Sequence, residues 1–233
     1  METPRRTLAA MLVLLIGLPA YGKDLALLQL SQFDARTILH SPPANDSTQT
    51  KAELARLHAI ETERTPAEFD AAVAAAKDET VFLFKPVFGA GFTADKLPET
   101  AAFFALAAND ESIFVKIAKD EWKRPRPAAI DPTLHPCTQS KSFSYPSGHA
   151  TRGYLLGIIL GAVVPDRRDA ILTQAAAYAR DRLVCGVHFR SDIEAGRLTG
   201  SALAAVMLSQ PEVRQRLAAV RAELEAAGFT KAE

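Results

Sequence analysis

The sequence has no excess charge of either sign, since 27 lysines and arginines balance 27 aspartates and glutamates. Proteins that bind nucleic acid or anionic membrane surfaces usually carry a basic excess, so neither is predicted as a partner. Aromatic residues are scarce, at 7% of the chain, which favours helices over a β-sandwich. Beyond the N-terminus no apolar run approaches the roughly 18 residues of a membrane-spanning helix, so we expect a soluble mature chain.

One apolar stretch does stand at the N-terminus. Arg5 and Arg6 precede an apolar run from Leu8 to Leu18, which is too short to cross a bilayer, and Ala20-Tyr21-Gly22 then supplies small residues. This pattern predicts a secretory signal peptide over residues 1–22, cleaved after Gly22 or, as a second choice, after Ala20. The alternative is an uncleaved membrane anchor. Export through the inner membrane predicts a periplasmic protein.

Cysteine is also scarce, and the two that occur are Cys137 and Cys185. In an exported chain the oxidising compartment favours one disulfide between them, and the alternative is two unrelated buried thiols. Three of the histidines (His40, His58 and His135) show no ligand spacing with carboxylates or with each other. We therefore predict neither a metal site nor a cofactor.

Helical periodicity accounts for most of the chain. Hydrophobic residues make up 48% of it, and no shift in composition divides it, which indicates one globular domain. Turn and breaker residues mark 23–50 as an irregular N-terminal arm, and a helical domain over 51–233 follows. Only Val81–Phe84 has an ambiguous strand pattern, so the predicted fold class is all-α, a single-domain helical bundle. Two predicted helices start near residues 51 and 97. The others cover about 65–77, 113–122, 150–164, 167–184, 188–208 and 213–227, and Asp166 is the predicted cap of the helix over 167–184.

Two polar clusters are suited to binding an anion. Lys119 and Arg126 offer an ammonium and a planar guanidinium, both of which match phosphate oxygens. Ser147, Gly148 and His149 lie where a helix begins, and the free amides and partial positive charge there bind tetrahedral anions. Each cluster alone is also typical of ordinary structure, as a basic pair at a helix end or as a serine cap beside an incidental histidine.

A third cluster combines a histidine with a carboxylate. His188 and Asp192 are four residues apart, so on one helix they would share a face. A carboxylate there can hold one ring nitrogen and leave the other as a nucleophile. Arg182 can fold back to the same place across the turn at Cys185-Gly186. Alone, this pair is equally typical of a structural ion pair.

In order and spacing the three clusters resemble the signature of the type 2 phosphatidic acid phosphatase superfamily. Its members include bacterial class A nonspecific acid phosphatases, lipid phosphatases and vanadium haloperoxidases. The motifs are Lys119-x6-Arg126-Pro127, Pro146-Ser147-Gly148-His149 and Arg182-x5-His188-x3-Asp192. Similarity to the class A acid phosphatases extends to Thr62-Glu63-Arg64, Ser144-Tyr145-Pro146 and Val184-Cys185-Gly186, and covers roughly residues 41–233.

The resemblance implies a helical, metal-independent acid phosphatase that acts on small phosphate monoesters. In that family pattern His188 is the nucleophile that forms a phosphohistidine, Asp192 orients it, and His149 is the general acid. The resemblance also implies which groups hold the phosphoryl group, namely Lys119, Arg126, Ser147, Gly148 and Arg182.

One position departs from the family signature, because Asp181 stands where a serine usually precedes the arginine. A carboxylate that pointed inward would weaken anion binding, whereas one paired with Arg180 or Arg182 would hold Arg182 in place. Three alternatives stay open: a lipid phosphatase, a vanadium-dependent haloperoxidase and a non-catalytic anion-binding protein. The sequence decides neither the physiological substrate nor whether the chain is a monomer or a homo-oligomer.

Overall fold

The computed structural model describes residues 24–231, so the predicted signal peptide lies outside the described residues. Within that range every regular element is a helix, which confirms the all-α prediction. No helix in this part of the chain is long and apolar enough to cross a membrane. The α-helices are α1 (Thr48–Glu63), α2 (Pro66–Ala75), α3 (Lys85–Phe88), α4 (Pro98–Trp122), α5 (Pro127–Ile130), α6 (Gly148–Val163), α7 (Arg168–Val184), α8 (Arg190–Ser209) and α9 (Pro211–Ala226).

Side-chain caps set several helix starts. The Ser47 side chain accepts from the Thr50 amide, so α1 begins three residues before the predicted start. Thr65 and Glu68 form the predicted capping box, in which each side chain bonds the other's backbone amide. The helix that follows ends at Ala75, slightly earlier than predicted.

Two predicted helix boundaries are wrong, and the segment with an ambiguous pattern is a helix. Val81–Phe84 forms a 3-10 helix, because with no strand beside it in the described chain its backbone groups bond locally. The segments predicted from 97 onward and over 113–122 form one helix, α4. Asp166 lies inside a 3-10 helix, and the residue at the cap position of α7, Arg167, makes no capping bond.

Helix α6 lies at the centre of the molecule and packs against α4, α7 and α8. Two glycines of α8 allow a close approach to α6: a Cβ at Gly200 would overlap the Thr151 carbonyl oxygen, and one at Gly196 would lie 2.6 Å from that of Ser147. The Ser147 amide in turn donates to the Asp192 carbonyl at 3.0 Å. The start of α6 is therefore fixed against the start of α8, and two of the three motifs meet there.

The disulfide between Cys137 and Cys185 is present, as predicted. The Cys137 amide also donates to the Cys185 carbonyl at 2.9 Å. The bridge ties the loop between α5 and α6 to the end of α7, three residues before His188.

The arm before α1 is anchored by a buried carboxylate on α4. Asp110 accepts from the amides of Ala26, Leu27 and Leu28 at 2.7, 2.8 and 2.9 Å. This arm contains two short 3-10 helices, Leu30–Gln32 and Ala35–Thr37.

Candidate active site

His188 lies in the link before α8, which begins at Arg190, so the prediction that His188 starts this helix is wrong. The Asp192 carboxylate accepts from the Phe189 amide at 2.9 Å and thereby caps the helix. The same oxygen, Oδ2, lies 3.2 Å from His188 Nδ1. The predicted contact therefore exists, but it arises from a cap that reaches back to the link and not from a shared helix face.

Two residues that the sequence reasoning missed complete the surroundings of Asp192. Ser144 donates its hydroxyl to Oδ2 at 2.5 Å, and Arg124 donates Nη1 to Oδ1 at 2.7 Å. Arg124 also bonds Ser191 at 2.7 Å and pairs with Glu53 of α1 at 3.3 Å. The carboxylate is fully buried and fully partnered, so its position is fixed by α1, α8 and the loop before α6.

The contacts of His188 define which ring nitrogen is unprotonated. Arg126 Nη1 lies 2.8 Å from His188 Nε2. Because a guanidinium can only donate, Nε2 accepts, and the proton of the neutral ring resides on Nδ1, which faces Asp192. Burial, together with the charges of Arg126, Lys119 and Arg182, holds the pKa of His188 well below its ordinary value. The ring is thus neutral, with its lone pair turned towards the cations.

Lys119 and Arg126 both contact the segment Ser140–Ser144 in the loop before α6. Lys119 Nζ donates to the carbonyls of Phe143 and Ser144 at 2.5 and 3.2 Å. Arg126 donates to the Ser142 carbonyl and hydroxyl at 3.0 and 2.9 Å. Burial lowers the pKa of Lys119 to about 7 and that of Arg126 to about 10, and the charge of Arg126 adds to the effect on Lys119.

Arg182 has the opposite character, because it is buried without a counter-charge in hydrogen-bond contact. It is 2% exposed, and its Nε and Nη1 atoms have no hydrogen-bond partner within residues 24–231. Its charge lowers the pKa of both His188 and His149. A buried, unpaired cation is costly, and a bound anion would remove that cost.

The second motif forms the first turn of α6. Ser147 is the N-cap and accepts from the Ala150 amide at 3.4 Å, and Gly148 is the first helical residue. His149 Nε2 lies 3.2 Å from the Ala76 carbonyl, and its ring stacks on Tyr178. Burial and then the charge of Arg182 lower the pKa of His149 to about 4.

A cavity of about 500 Å³ opens in front of this first turn. A second cavity, of about 520 Å³, lies against Arg126, and both border Lys141, Ser142 and Phe143. The residues that line the first cavity include Lys119, Gly148, His149, Arg152, Glu79, Lys116 and Asp120. The structure thus places Lys119, Gly148 and His149 on the first cavity and Arg126 on the second, and Arg126 in turn contacts His188. Asp192 contacts His188 from behind this position, Ser147 caps the helix that borders the first cavity, and Arg182 is buried where its charge acts on both histidines.

Two further expectations differ from the structure. Asp181 is half-buried, and burial raises its pKa. It forms no ion pair with Arg180 or Arg182 within the described chain, so of the two possibilities left open by the sequence the pairing does not occur. His58 and His135, which showed no carboxylate spacing in the sequence, each meet one distant carboxylate, at 2.9 and 3.0 Å. No group of three or more metal-ligating side chains forms within residues 24–231.

Comparison with known proteins supports the resemblance that the motifs suggested. Residues 99–216 match the PAP2 superfamily. An acid phosphatase of Zymomonas mobilis is 34% identical over 57% of this chain and 52% of its own length. A non-specific acid phosphatase of Salmonella typhimurium is 31% identical over 61% of this chain and 59% of its own length. The matches span between half and three-fifths of these relatives.

Two solved structures share the fold. A bacterial vanadium-dependent iodoperoxidase has a TM-score of 0.59 at 17% identity, over 75% of this chain and 52% of its own. A transmembrane PAP2-type phosphatidylglycerolphosphate phosphatase from Bacillus subtilis has a TM-score of 0.52 at 19% identity, over 75% of this chain and 88% of its own. These likenesses confirm the predicted helical bundle.

Proposed function

Because the chain belongs to the PAP2 superfamily, we propose that it hydrolyses small phosphate monoesters through a phosphohistidine on His188. The observation that carries the proposal is the buried guanidinium of Arg182, whose Nε and Nη1 atoms find no acceptor in the described chain. Its positive charge acts on both His188 and His149, and the charges of Lys119 and Arg126 also act on His188. A phosphoryl group is an anion that fits such a centre in both charge and hydrogen-bond geometry.

Each motif contributes a different kind of ligand to the phosphoryl oxygens. Lys119, Arg126 and Arg182 supply charge, and the Ser147–Gly148 turn supplies the amides of a helix N-terminus. Phosphoryl transfer needs mainly positioning and neutralisation of the equatorial oxygens, and these groups provide both without a metal ion.

The chemistry then follows from the protonation states. Nε2 of His188 attacks phosphorus while the ester P–O bond breaks, and the proton stays on Nδ1, which donates it in a hydrogen bond to Asp192. The leaving oxygen takes a proton from His149. In the second step His149 removes a proton from water, whose oxygen attacks phosphorus while the P–Nε2 bond breaks, so that phosphate and neutral His188 are released. The negative charge of a bound phosphoryl group opposes Arg182 and raises the pKa of His149, which favours its acid form.

The proposed location is the periplasm. The N-terminal Arg5-Arg6 pair and the apolar run after it support export. The disulfide between Cys137 and Cys185 supports an oxidising compartment, since such bridges are rare in the reducing cytosol.

Rapid quenching with labelled aryl phosphate, in the presence of EDTA, tests the mechanism. The wild type should turn over, be inhibited by vanadate, and form an acid-labile phosphoenzyme that maps to His188. His188→Ala should lose both label and turnover, whereas His58→Ala, a surface histidine variant, should keep them. Label on serine or aspartate, or activity that depends on an added divalent metal, would contradict the mechanism. Halide oxidation with vanadate and peroxide, without ester hydrolysis, would favour the haloperoxidase alternative.

A further inference from the structure

The Nε2 atom of His149 lies near two hydrogen-bond acceptors at the edge of the first cavity. Nε2 lies 3.2 Å from the Ala76 carbonyl and 3.4 Å from Oε1 of Glu79. A carbonyl can only accept, so Nε2 carries a proton. The other nitrogen, Nδ1, has no hydrogen-bond partner in the described part of the chain, which leaves it for the leaving group.

Glu79 is held in this position although it lies in the loop after α2 and is half exposed. Its Oε2 is ion-paired with Arg152, which stands three residues after His149 on α6. Arg152 also binds the buried carboxylate of Glu111 on α4 at 2.6 and 2.9 Å. Because Arg152 is anchored by Glu111, the carboxylate of Glu79 is fixed beside His149.

We propose that Glu79 is a positioning residue for the general acid, which orients the His149 ring and stabilises its protonated form. The proposal rests on the proposed function, because it assigns a role to Glu79 only if His149 transfers a proton. Each of the two histidines then has its own carboxylate partner: Glu79 for His149 and Asp192 for His188.

The charges around His149 show why such a partner matters. Burial, Arg182 and Arg152 all disfavour the imidazolium, and Glu79 is the carboxylate that opposes them, together with the Ala76 carbonyl. Without Glu79 the acid form would be populated only at lower pH. The groups that face the ring are Arg182 and Tyr178 from α7, Arg152 from α6, Glu79 from the loop after α2, and His188 from the link before α8.

Glu79→Gln tests the proposal, because glutamine keeps the size of the side chain and loses its charge. Glu63→Gln is the matched control, since Glu63 is an exposed glutamate paired with Arg56 at the end of α1. Kinetics with a primary alkyl phosphate and with p-nitrophenyl phosphate isolate the effect on leaving-group protonation. The alkoxide needs a proton in order to leave, whereas p-nitrophenolate leaves readily without one. The alkaline limb of kcat/KM for the alkyl ester should move down by about 0.5 pH unit in Glu79→Gln, as for a partly exposed ion pair.

We expect the alkyl ester to lose about threefold more kcat than the aryl ester in Glu79→Gln, and Glu79→Asp to recover part of the loss. Titration of the His149 ring by NMR should show the same downward pKa shift without reference to activity. The role of Glu79 would be overturned if the His149 titration were unchanged in Glu79→Gln. It would also be overturned if the kcat values of the two esters changed equally, as expected for Glu63→Gln. If the wild type hydrolyses neither ester, the proposed function fails instead, and that result is visible before any variant is made.

Discussion

Among the proposed phosphate ligands, Lys119 is the one whose charge depends most on pH near neutrality. Burial and Arg126 lower its pKa to about 7, so an ammonium present at pH 6 is reduced to roughly one tenth by pH 8. We expect the inhibition constant for inorganic phosphate to rise over this range by about tenfold more in the wild type than in Lys119→Arg, which stays charged. Inhibition by phosphate of both proteins at matched pH values measures this. Parallel pH dependences would show that Lys119 keeps its charge.

Arg124 occupies one of the six unspecified positions of the first motif, yet it fixes the residue that orients the proposed nucleophile. Arg124→Met would leave Asp192 and Glu53 buried without their cation, at a cost of about 3 kcal/mol in the free energy of unfolding. It should also lower kcat by about tenfold or more, because the Asp192 carboxylate that orients His188 loses one of its fixed partners. Urea denaturation and steady-state kinetics measure the two effects. The control is Arg36→Met, which removes an exposed pair and should change little; a similar small effect at Arg124 would rule out the role.

At the residue scale, motif spacing predicted which side chains meet, and it missed the residues that hold them. Arg126 contacts His188, and Lys119 contacts the same loop segment as Arg126. This proximity was predictable because the three residues belong to a family signature. Arg124 and Ser144 carry no periodic signal, since both lie in irregular segments on either side of α5. Their partner, Asp192, is distant in sequence, so only the folded chain reveals the contact.

At the level of helices, the approach of α8 to α6 positions the second motif. A Cβ on residue 196 would lie 2.6 Å from a backbone oxygen, which cannot move as a side chain can. Gly196→Ala should therefore lower the free energy of unfolding by about 2 kcal/mol and reduce activity, because the first turn of α6 must shift. Gly91→Ala, where a Cβ makes only ordinary contacts, is the control. Thermal unfolding and turnover of both variants give the comparison, and equal stabilities would show that the helices separate without strain.

Helix starts were predictable where a local cap decides them, and less so where tertiary contacts do. Thr65 and Glu68 lie within one turn, so the sequence alone locates the start of α2. The start of α8 is set by the Asp192 carboxylate, which is also bound by Arg124 and Ser144 from elsewhere in the chain. The four residues of Val81–Phe84 are too few for periodicity to separate a strand from a tight helix.

At the scale of the whole molecule, the disulfide connects the loop that contacts Lys119 and Arg126 to the link that bears His188. It closes a loop with a sequence separation of 48 residues, which in the chain-entropy model stabilises the fold by about 4 kcal/mol. The double variant Cys137→Ser, Cys185→Ser should therefore unfold at a temperature lower by about 10 °C. Activity should fall as well. Calorimetry of the variant against the oxidised wild type tests this, and an unchanged Tm would show that the bridge adds little.

The contacts of the Ser140–Ser144 segment have a consequence for turnover. Its carbonyl and hydroxyl oxygens already bond Lys119 and Arg126. In the proposed mechanism an arriving phosphoryl group therefore exchanges with these oxygens and does not simply add to free donors. An exchange of oxygen for oxygen changes the hydrogen-bond enthalpy little, which limits how tightly the product phosphate is held. When phosphate departs, the same oxygens return to the cations and solvate them in place of bulk water. The loop thereby acts as a built-in competitor for the product, which favours its release.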